Sequence, residues 1–242
     1  MWNLVRVGLA GLCLVSAPAF AFKLTPIEAE FGPGRQAVQT FKVENPGAQP
    51  VAVELTVHSR QMAADGSDIL APTPDAFAVF PDQIVLQPGE SQSVRVQWNG
   101  TEVPSSEVAY RLMAEQLPID IGGDGASRSG LKLMVKYLAA LYVRPAEPAA
   151  VLEASVSADS QDGQKQVKVL VRNTGNAHAV LQADMLELYA GGQKIAYTPE
   201  QREQVHGKNV LPGVERVLRL PWSPALDAGA LTVQLKPPAD AE

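Results

Sequence analysis

The segment Val51-Ala52-Val53-Glu54-Leu55-Thr56-Val57 carries a large apolar side chain at every second position. Successive side chains of a β-strand point to opposite faces, so this period predicts a strand with Val51, Val53, Leu55 and Val57 toward a core. The same period recurs in Ser93–Trp98 and in Val167–Val171. Strands with one apolar face are the repeated unit of this sequence.

Turn-forming residues separate these segments at short intervals. Examples are Gly32-Pro33-Gly34, Asn45-Pro46-Gly47, Pro88-Gly89, Asp162-Gly163 and Pro212-Gly213. Short strands bounded by such turns are typical of β-sandwiches. One stretch, Pro199–Val205, predicts a short helix instead. We therefore expect an all-β protein built from immunoglobulin-like sandwiches.

A domain boundary is predicted at Arg144-Pro145-Ala146-Glu147-Pro148. Two prolines in four residues cannot lie within a paired central strand, and they form a stiff extended connector. The predicted domains are residues 22–145 and 146–242, each about the size of one immunoglobulin-like sandwich. Two domains joined by a short stiff link are expected to enclose a cleft.

Residues 1–21 are predicted to be a signal peptide. A positive charge at Arg6 precedes the apolar run Val7–Val15, and Ala19-Phe20-Ala21 fits a small-x-small cleavage site. The single cysteine, Cys13, lies in this segment, so the mature chain cannot form disulfides. The net charge of −6 disfavours nucleic acid as a partner. We expect a secreted protein without direct membrane insertion.

The segment Leu131–Val143 is much longer than a typical strand of about six residues. It follows a glycine-rich stretch, Gly122–Gly130. Four of its apolar side chains share one face: Leu131, Leu133, Val135 and Tyr137. They either fill the core of their own domain or complete the sheet of a partner by β-augmentation, in which backbone hydrogen bonds supply affinity.

The sequence resembles the periplasmic pilus chaperones of the chaperone–usher pathway, the PapD-like family. The resemblance is carried by Phe80–Arg95, by Glu107–Pro118 with its Tyr110-Arg111-Leu112, and by Leu141-Tyr142-Val143-Arg144-Pro145. The Tyr-Arg-Leu segment is similar to the divergent, archaic branch. The resemblance implies two immunoglobulin-like domains in an L or boomerang arrangement.

Such chaperones bind pilus subunits (pilins) that lack their final strand, and deliver them to an outer-membrane usher. The resemblance implies no cofactor and no catalytic residues. Counting back from the Arg-Pro exit, the donor residues fall on Leu131, Leu133 and Val135, and Tyr137 continues the face. Whether the free chaperone caps itself as a dimer is left open.

The resemblance also implies two charged sites. The family's interdomain network aligns with Glu107, Arg144 and Asp227. The family's basic pair for the subunit carboxylate aligns with Glu28 and Ala140, neither of which binds an anion. Arg111 and Lys136 are the alternative carboxylate anchors, and we favour Arg111 because arginine binds carboxylates in a bidentate manner.

The sequence contains no recognisable catalytic or metal-binding pattern. His58, His178 and His206 are far apart and lack ligand spacing, so each is interpreted as a surface or strand residue. The alternative functions are a secreted β-sandwich adhesin or carbohydrate-binding module and, third, a secreted hydrolase. A sugar-binding module would be expected to offer exposed aromatics, yet the chain has three tryptophans, one of them Trp2.

Overall fold

The computed structural model describes residues 22–118 and 134–236. Within these ranges most residues lie in strands and one seven-residue α-helix is present, so the predicted all-β class is confirmed. The first ten strands are β1 (Lys23–Thr25), β2 (Glu28–Phe31), β3 (Val38–Glu44), β4 (Val51–Met62), β5 (Asp68–Pro72), β6 (Phe77–Phe80), β7 (Gln83–Leu86), β8 (Ser91–Trp98), β9 (Val108–Gln116) and β10 (Lys136–Val143).

These ten strands form a sandwich of two sheets. One has the order β1-β3-β8-β6, and the other has the order β2-β10-β9-β4-β5 with β7 also paired to β4. The apolar positions of β4 predicted to face a core are buried, with Leu55 1 % and Val53 0 % exposed. Phe41 and Val94 from the facing sheet, and Leu112 and Leu141 from the same sheet as β4, complete this core.

The second half of the chain builds another sandwich. Its elements are β11 (Leu152–Gln161), β12 (Gln164–Asn173), β13 (Ala179–Leu181), β14 (Leu186–Ala190), β15 (Gln193–Ile195), α1 (Pro199–Val205), β16 (Lys208–Val210), β17 (Glu215–Pro221) and β18 (Leu231–Leu235). They form three small sheets, β11-β12-β17, β13-β16 and β15-β14-β18. Val169 and Leu220 lie in a core separate from that of the first domain.

The helix α1 spans the residues predicted to be helical, Pro199–Val205. Thr198 and Gln201 form a capping box, in which each side chain binds the backbone N–H of the other residue. Pro199 occupies the first turn, where its missing N–H costs no hydrogen bond. Among the described residues, no helix combines the length and apolar character that a bilayer-spanning segment needs.

The first strand of the chain changes sheets. β1 pairs with β3 in one sheet, whereas β2 pairs in parallel with β10 in the other. Pro26 lies between them and has no backbone N–H for either ladder. Because β2 begins at Glu28, it covers only residues 140–143 of β10.

Candidate functional site

Residues 136–139 of β10 have a strand partner on one side only, within the part of the chain that the structure describes. On the paired side lies β9, where Gln116 N donates to Val135 O at 3.0 Å. On the other side, Ala140 N donates to Ile27 O at 2.8 Å, where β2 begins. Since backbone groups alternate in direction along a strand, those of Lys136 and Leu138 point to the uncovered side.

The described members of the predicted donor face pack against the first domain's core. Val135 and Tyr137 are half-buried there. The Tyr137 ring meets the Phe22 ring edge to face, with centroids 5.0 Å apart. Leu131 and Leu133 lie outside the described residues. On the opposite face, Met134 and Leu138 are exposed.

Glu28 and Ala140 are the positions that align with the family's basic pair. Both lie near Arg111 in the sheet β2-β10-β9-β4-β5. Ala140 of β10 lies opposite Glu28 of β2 on one side and opposite Arg111 of β9 on the other. Paired residues of neighbouring strands project from the same face. Arg111 therefore shares a sheet face with the two residues that replace the basic pair.

Arg111 belongs to a charged cluster that the sequence did not reveal. Its Nε donates to Asp68 Oδ2 at 2.8 Å, and Arg60 Nε donates to Asp68 Oδ1 at 2.7 Å. The Arg60 side chain is only 3 % exposed. Burial disfavours the charged form of Asp68, but the hydrogen bonds from Arg111 and Arg60 outweigh burial and lower the pKa of Asp68. Two guanidiniums on one carboxylate leave a net positive charge.

The second anchor candidate, Lys136, lies elsewhere. Its Nζ is 3.1 Å from Glu115 Oε2, and both side chains are more than a third exposed. Four residues of β10 separate Lys136 from Ala140, a rise of about 13 Å. The structure therefore brings Arg111, and not Lys136, next to the position of the missing basic pair.

Tyr142 connects this cluster to the second domain. Its hydroxyl oxygen accepts hydrogen bonds from Arg60 Nη1 at 3.2 Å and from Asn209 Nδ2 at 2.8 Å. Its ring stacks on His178 with centroids 4.0 Å apart. Burial raises the pKa of the Tyr142 hydroxyl. An apolar cluster of Met62, Ala109, Ala140 and Leu211 surrounds the tyrosine and spans both domains.

The structure brings Glu107 and Arg144 together at the same junction. Arg144 Nε is 3.4 Å from Glu107 Oε2, an ionic contact without hydrogen-bond geometry. Glu107 Oε1 lies 2.7 Å from His178 Nδ1 and also accepts from the His178 backbone N–H at 3.2 Å. Arg144 Nη1 donates to Glu30 Oε1 at 2.5 Å. His178 is therefore a contact residue of the junction, with its side chain 9 % exposed, and it belongs to no metal-ligating group among the described residues.

Asp227 is not part of this junction. Its Oδ1 accepts from Trp222 Nε1 at 3.1 Å and is 4.0 Å from Lys165 Nζ. Lys165 lies near the start of β12, whereas the junction adjoins its other end at Asn173; eight residues of strand separate the two by about 26 Å. The buried Leu226 fixes the 3₁₀ turn of Asp227 at that distant end.

In residues 22–118 and 134–236, no group of three or more His, Cys, Asp or Glu side chains has an arrangement that could hold a metal ion. The turn Asp65–Asp68 is closed by its own side chains, because Ser67 N and Oγ donate to Asp65 Oδ1 at 2.9 and 2.6 Å. The described contacts thus form a cluster of two arginines on Asp68 and a set of polar contacts between the domains.

Residues 32–149 match the family described as "Pili and flagellar-assembly chaperone, PapD N-terminal domain". This N-terminal domain belongs to the PapD-like pilus chaperones. The resemblance drawn from the sequence is confirmed. This family consists of assembly chaperones and not of enzymes. None of the curated proteins compared is a significant sequence relative of this chaperone.

Solved chaperone structures share the fold at low sequence identity. CsuC, in a pre-assembly complex with the tip adhesion subunit CsuE of the archaic Csu pili of Acinetobacter baumannii, is 16 % identical with a TM-score of 0.60 and covers 89 % of this chain and 98 % of its own. SafB of Salmonella enterica, in complex with the SafA pilin, is 19 % identical with a TM-score of 0.52, covering 91 % and 99 %. The class 5 fimbriae chaperone CfaA is 15 % identical with a TM-score of 0.54, covering 89 % and 100 %.

Proposed function

We propose that this PapD-like chaperone binds pilus subunits by donor-strand complementation in the periplasm and delivers them to an outer-membrane usher. In this proposal residues 1–21 are a signal peptide, residues 22–145 are the donor-strand domain and residues 146–242 are the second domain. The relatives CsuC and SafB were each solved with a subunit of a pilus.

The observation that carries the proposal is the uncovered side of β10. The backbone groups of Lys136 and Leu138 point away from β9, and no described strand pairs with them. An unpaired strand edge is a template for another strand. A subunit that lacks its last strand would supply the missing hydrogen bonds, and a second copy of the chaperone would cover the same edge in its absence.

The side chains that would enter the subunit are Leu131, Leu133, Val135 and Tyr137. Val135 and Tyr137 lie in line with the core residues Ala139 and Leu141. The apolar side chains that line the core of the first domain would thus continue along the same face of β10 into the core of the subunit. Each large side chain covered by the subunit contributes roughly 1.5–3 kcal/mol.

We infer that Arg111 binds the C-terminal carboxylate of the subunit. It lies opposite Ala140, and Asp68 and Arg60 hold it in a cluster of net positive charge. The cluster Glu107–Arg144 is proposed to fix the orientation of the domains.

A donor-strand variant tests the proposal. The chaperone is purified from the periplasm of its source bacterium, and its bound partner is identified by mass spectrometry as a pilin with an incomplete immunoglobulin-like fold. Leu133→Asp should abolish capture of that subunit, because a carboxylate would enter an apolar groove. Met134→Asp, on the exposed opposite face, should capture it normally.

Both variants should retain the melting temperature of the parent. Capture of the subunit by Leu133→Asp at the parent level would contradict donation of this strand. Co-purification of a soluble oligosaccharide, without a pilin, would support the sugar-binding alternative instead.

A further inference from the structure

The hairpin of β4 and β5 extends from the first domain to the second. Its strands pair from His58 opposite Pro72 to Met62 opposite Asp68, and residues 63–67 form its tip. The tip is closed by hydrogen bonds from Ala63 N to Ser67 O at 2.9 Å and from Gly66 N to Ala63 O at 2.8 Å. Asp68, which holds Arg60 and Arg111, is the first residue after this tip.

The tip is docked on β17 of the second domain. Val217 N donates to Ala64 O at 2.6 Å, a backbone hydrogen bond between the domains. The neighbouring Arg216 lies against Gly66, and its Nη1 donates to the backbone oxygen of Asn209. The side chain of that same Asn209 donates to Tyr142. Arg216 thus connects the hairpin tip with Asn209, and Asn209 in turn contacts Tyr142 of β10.

Gly66 is required at this contact for two reasons. Its φ of +87° lies in the region that favours glycine, and a Cβ at this position would lie 2.1 Å from Arg216 Nη2. An added methyl group would therefore displace the guanidinium from its place between the tip and Asn209. Gly89, in the same domain, has a φ of +79° with no atom within 4 Å of its Cβ position.

Arg216 also interacts electrostatically with charged residues of the first domain. Burial and the nearby Arg60 lower the pKa of Arg216, while Asp65 and Asp68 oppose this effect. Three arginines from two domains, Arg60, Arg111 and Arg216, therefore lie near two aspartates, Asp65 in the hairpin tip and Asp68 directly after it. A shift of the tip moves Asp68, which in turn moves the guanidinium of Arg111.

We propose that Gly66 and Arg216 are positioning residues: docking of the β4–β5 tip on β17 sets the domain orientation and the place of Arg111 in the cleft. The part concerning Arg111 rests on the proposed function. The part concerning domain orientation does not, since it is measurable on the free chaperone.

The test uses paired spin labels at Ala48→Cys and Ala158→Cys, exposed positions in different domains. The only native cysteine is Cys13, so the mature chain has no competing thiol. Gly66→Ala should broaden or shift the distribution of distances between the labels. Gly89→Ala carries the same backbone strain without the contact and should leave the distribution unchanged.

A double-mutant cycle isolates the contact. In an Arg216→Ala background, Gly66→Ala should change the distance distribution no further, because the displaced group is absent. If Gly66→Ala does not fold, Arg216→Ala alone should broaden the distribution. A distribution for Gly66→Ala or Arg216→Ala equal to that of the parent would overturn the proposal.

Binding of the identified pilin separates the two parts. Gly66→Ala should weaken capture about tenfold, close to the effect of Arg111→Ala, while Gly89→Ala should not. A shifted distance distribution with normal capture by both Gly66→Ala and Arg111→Ala would contradict the role of Arg111 and leave the docking role of the tip supported. Weakened capture with an unchanged distance distribution would contradict the docking role.

Discussion

Arg111 is the proposed anchor for the C-terminal carboxylate of the subunit. It faces Ala140, whose small side chain leaves the guanidinium beside the position where the family's basic residue is expected. Its Nε is held by Asp68, and the guanidinium has two further nitrogens with N–H donors. Glu28 on the other side of Ala140 is exposed and would repel an anion, so the proposed binding of a carboxylate depends on the charge of Arg111.

At this scale we predict that Arg111→Ala weakens binding of a peptide from the C terminus of the identified pilin at least tenfold, or about 1.4 kcal/mol. The same peptide with an amidated C terminus should bind Arg111→Ala and the parent equally, because it has no carboxylate. Arg95→Ala, an exposed arginine on the other sheet, is the control. Equal affinity of Arg111→Ala and the parent for the free-acid peptide, measured by calorimetry, would rule Arg111 out.

At the scale of elements, Glu187 ties three strands of the second domain together. Its Oε1 accepts from Lys194 on β15 and, at 2.7 Å, from Lys236 just after β18, and its Oε2 accepts from Tyr189 at 2.8 Å. The hydrogen bonds from Lys194, Lys236 and Tyr189 lower the pKa of Glu187 from 4.5 to about 2. The ionised form is thus favoured in the folded state.

A lowered pKa stabilises the fold above pH 4.5, and this stabilisation is lost as the pH falls from 4.5 toward 2. We predict that Glu187→Gln lowers the urea midpoint at pH 7 and reduces its change between pH 4.5 and 2. Glu153→Gln, exposed on β11, should keep the parent's midpoint at pH 7. If the urea midpoint of Glu187→Gln changes between pH 4.5 and 2 as much as that of the parent, other groups cause the acid sensitivity.

At the scale of the whole molecule, the junction joins polar and apolar contacts from both domains. Glu107 contacts His178, Tyr142 contacts Asn209, and Ala64 bonds to Val217. Glu107 is fully buried at its side chain, whereas Glu30, the other partner of Arg144, is 59 % exposed. The two glutamates that contact Arg144 thus differ chiefly in solvent exposure.

We therefore predict that Glu107→Ala costs roughly 1–3 kcal/mol in the free energy of unfolding, because it leaves the buried polar groups of His178 without their partner. Glu30→Ala should cost about 0–1 kcal/mol, as exposed pairs do. Scanning calorimetry should resolve separate unfolding of the domains in Glu107→Ala and not in Glu30→Ala. Equal costs for the two variants would refute the assignment of Glu107 to the junction.

Local patterns in the sequence were sufficient to predict individual elements such as β4 and α1. The period of Val51–Val57 predicted β4 and its buried face because alternation is a property of the strand itself. The helix Pro199–Val205 was predictable because its cap, Thr198 with Gln201, lies within four residues of chain. The strand period and the turn signals indicated the all-β fold, and the family resemblance then gave the expected register of the donor residues.

Only the tertiary structure decided the contacts of the cleft. Glu107 meets His178 across 71 positions and Arg60 meets Tyr142 across 82, while Asp227 lies at the far end of β12. No periodicity encodes such pairs, because they depend on how two sandwiches dock and on which strand ends meet. The sequence by itself determined the β-sandwich fold and predicted the donor residues Leu131, Leu133, Val135 and Tyr137. The pairing of β5, β4 and β9 in the sheet of the first domain decided that Arg60, Asp68 and Arg111 form one charged cluster, since burial and distance, not residue type, set the strength of an ion pair.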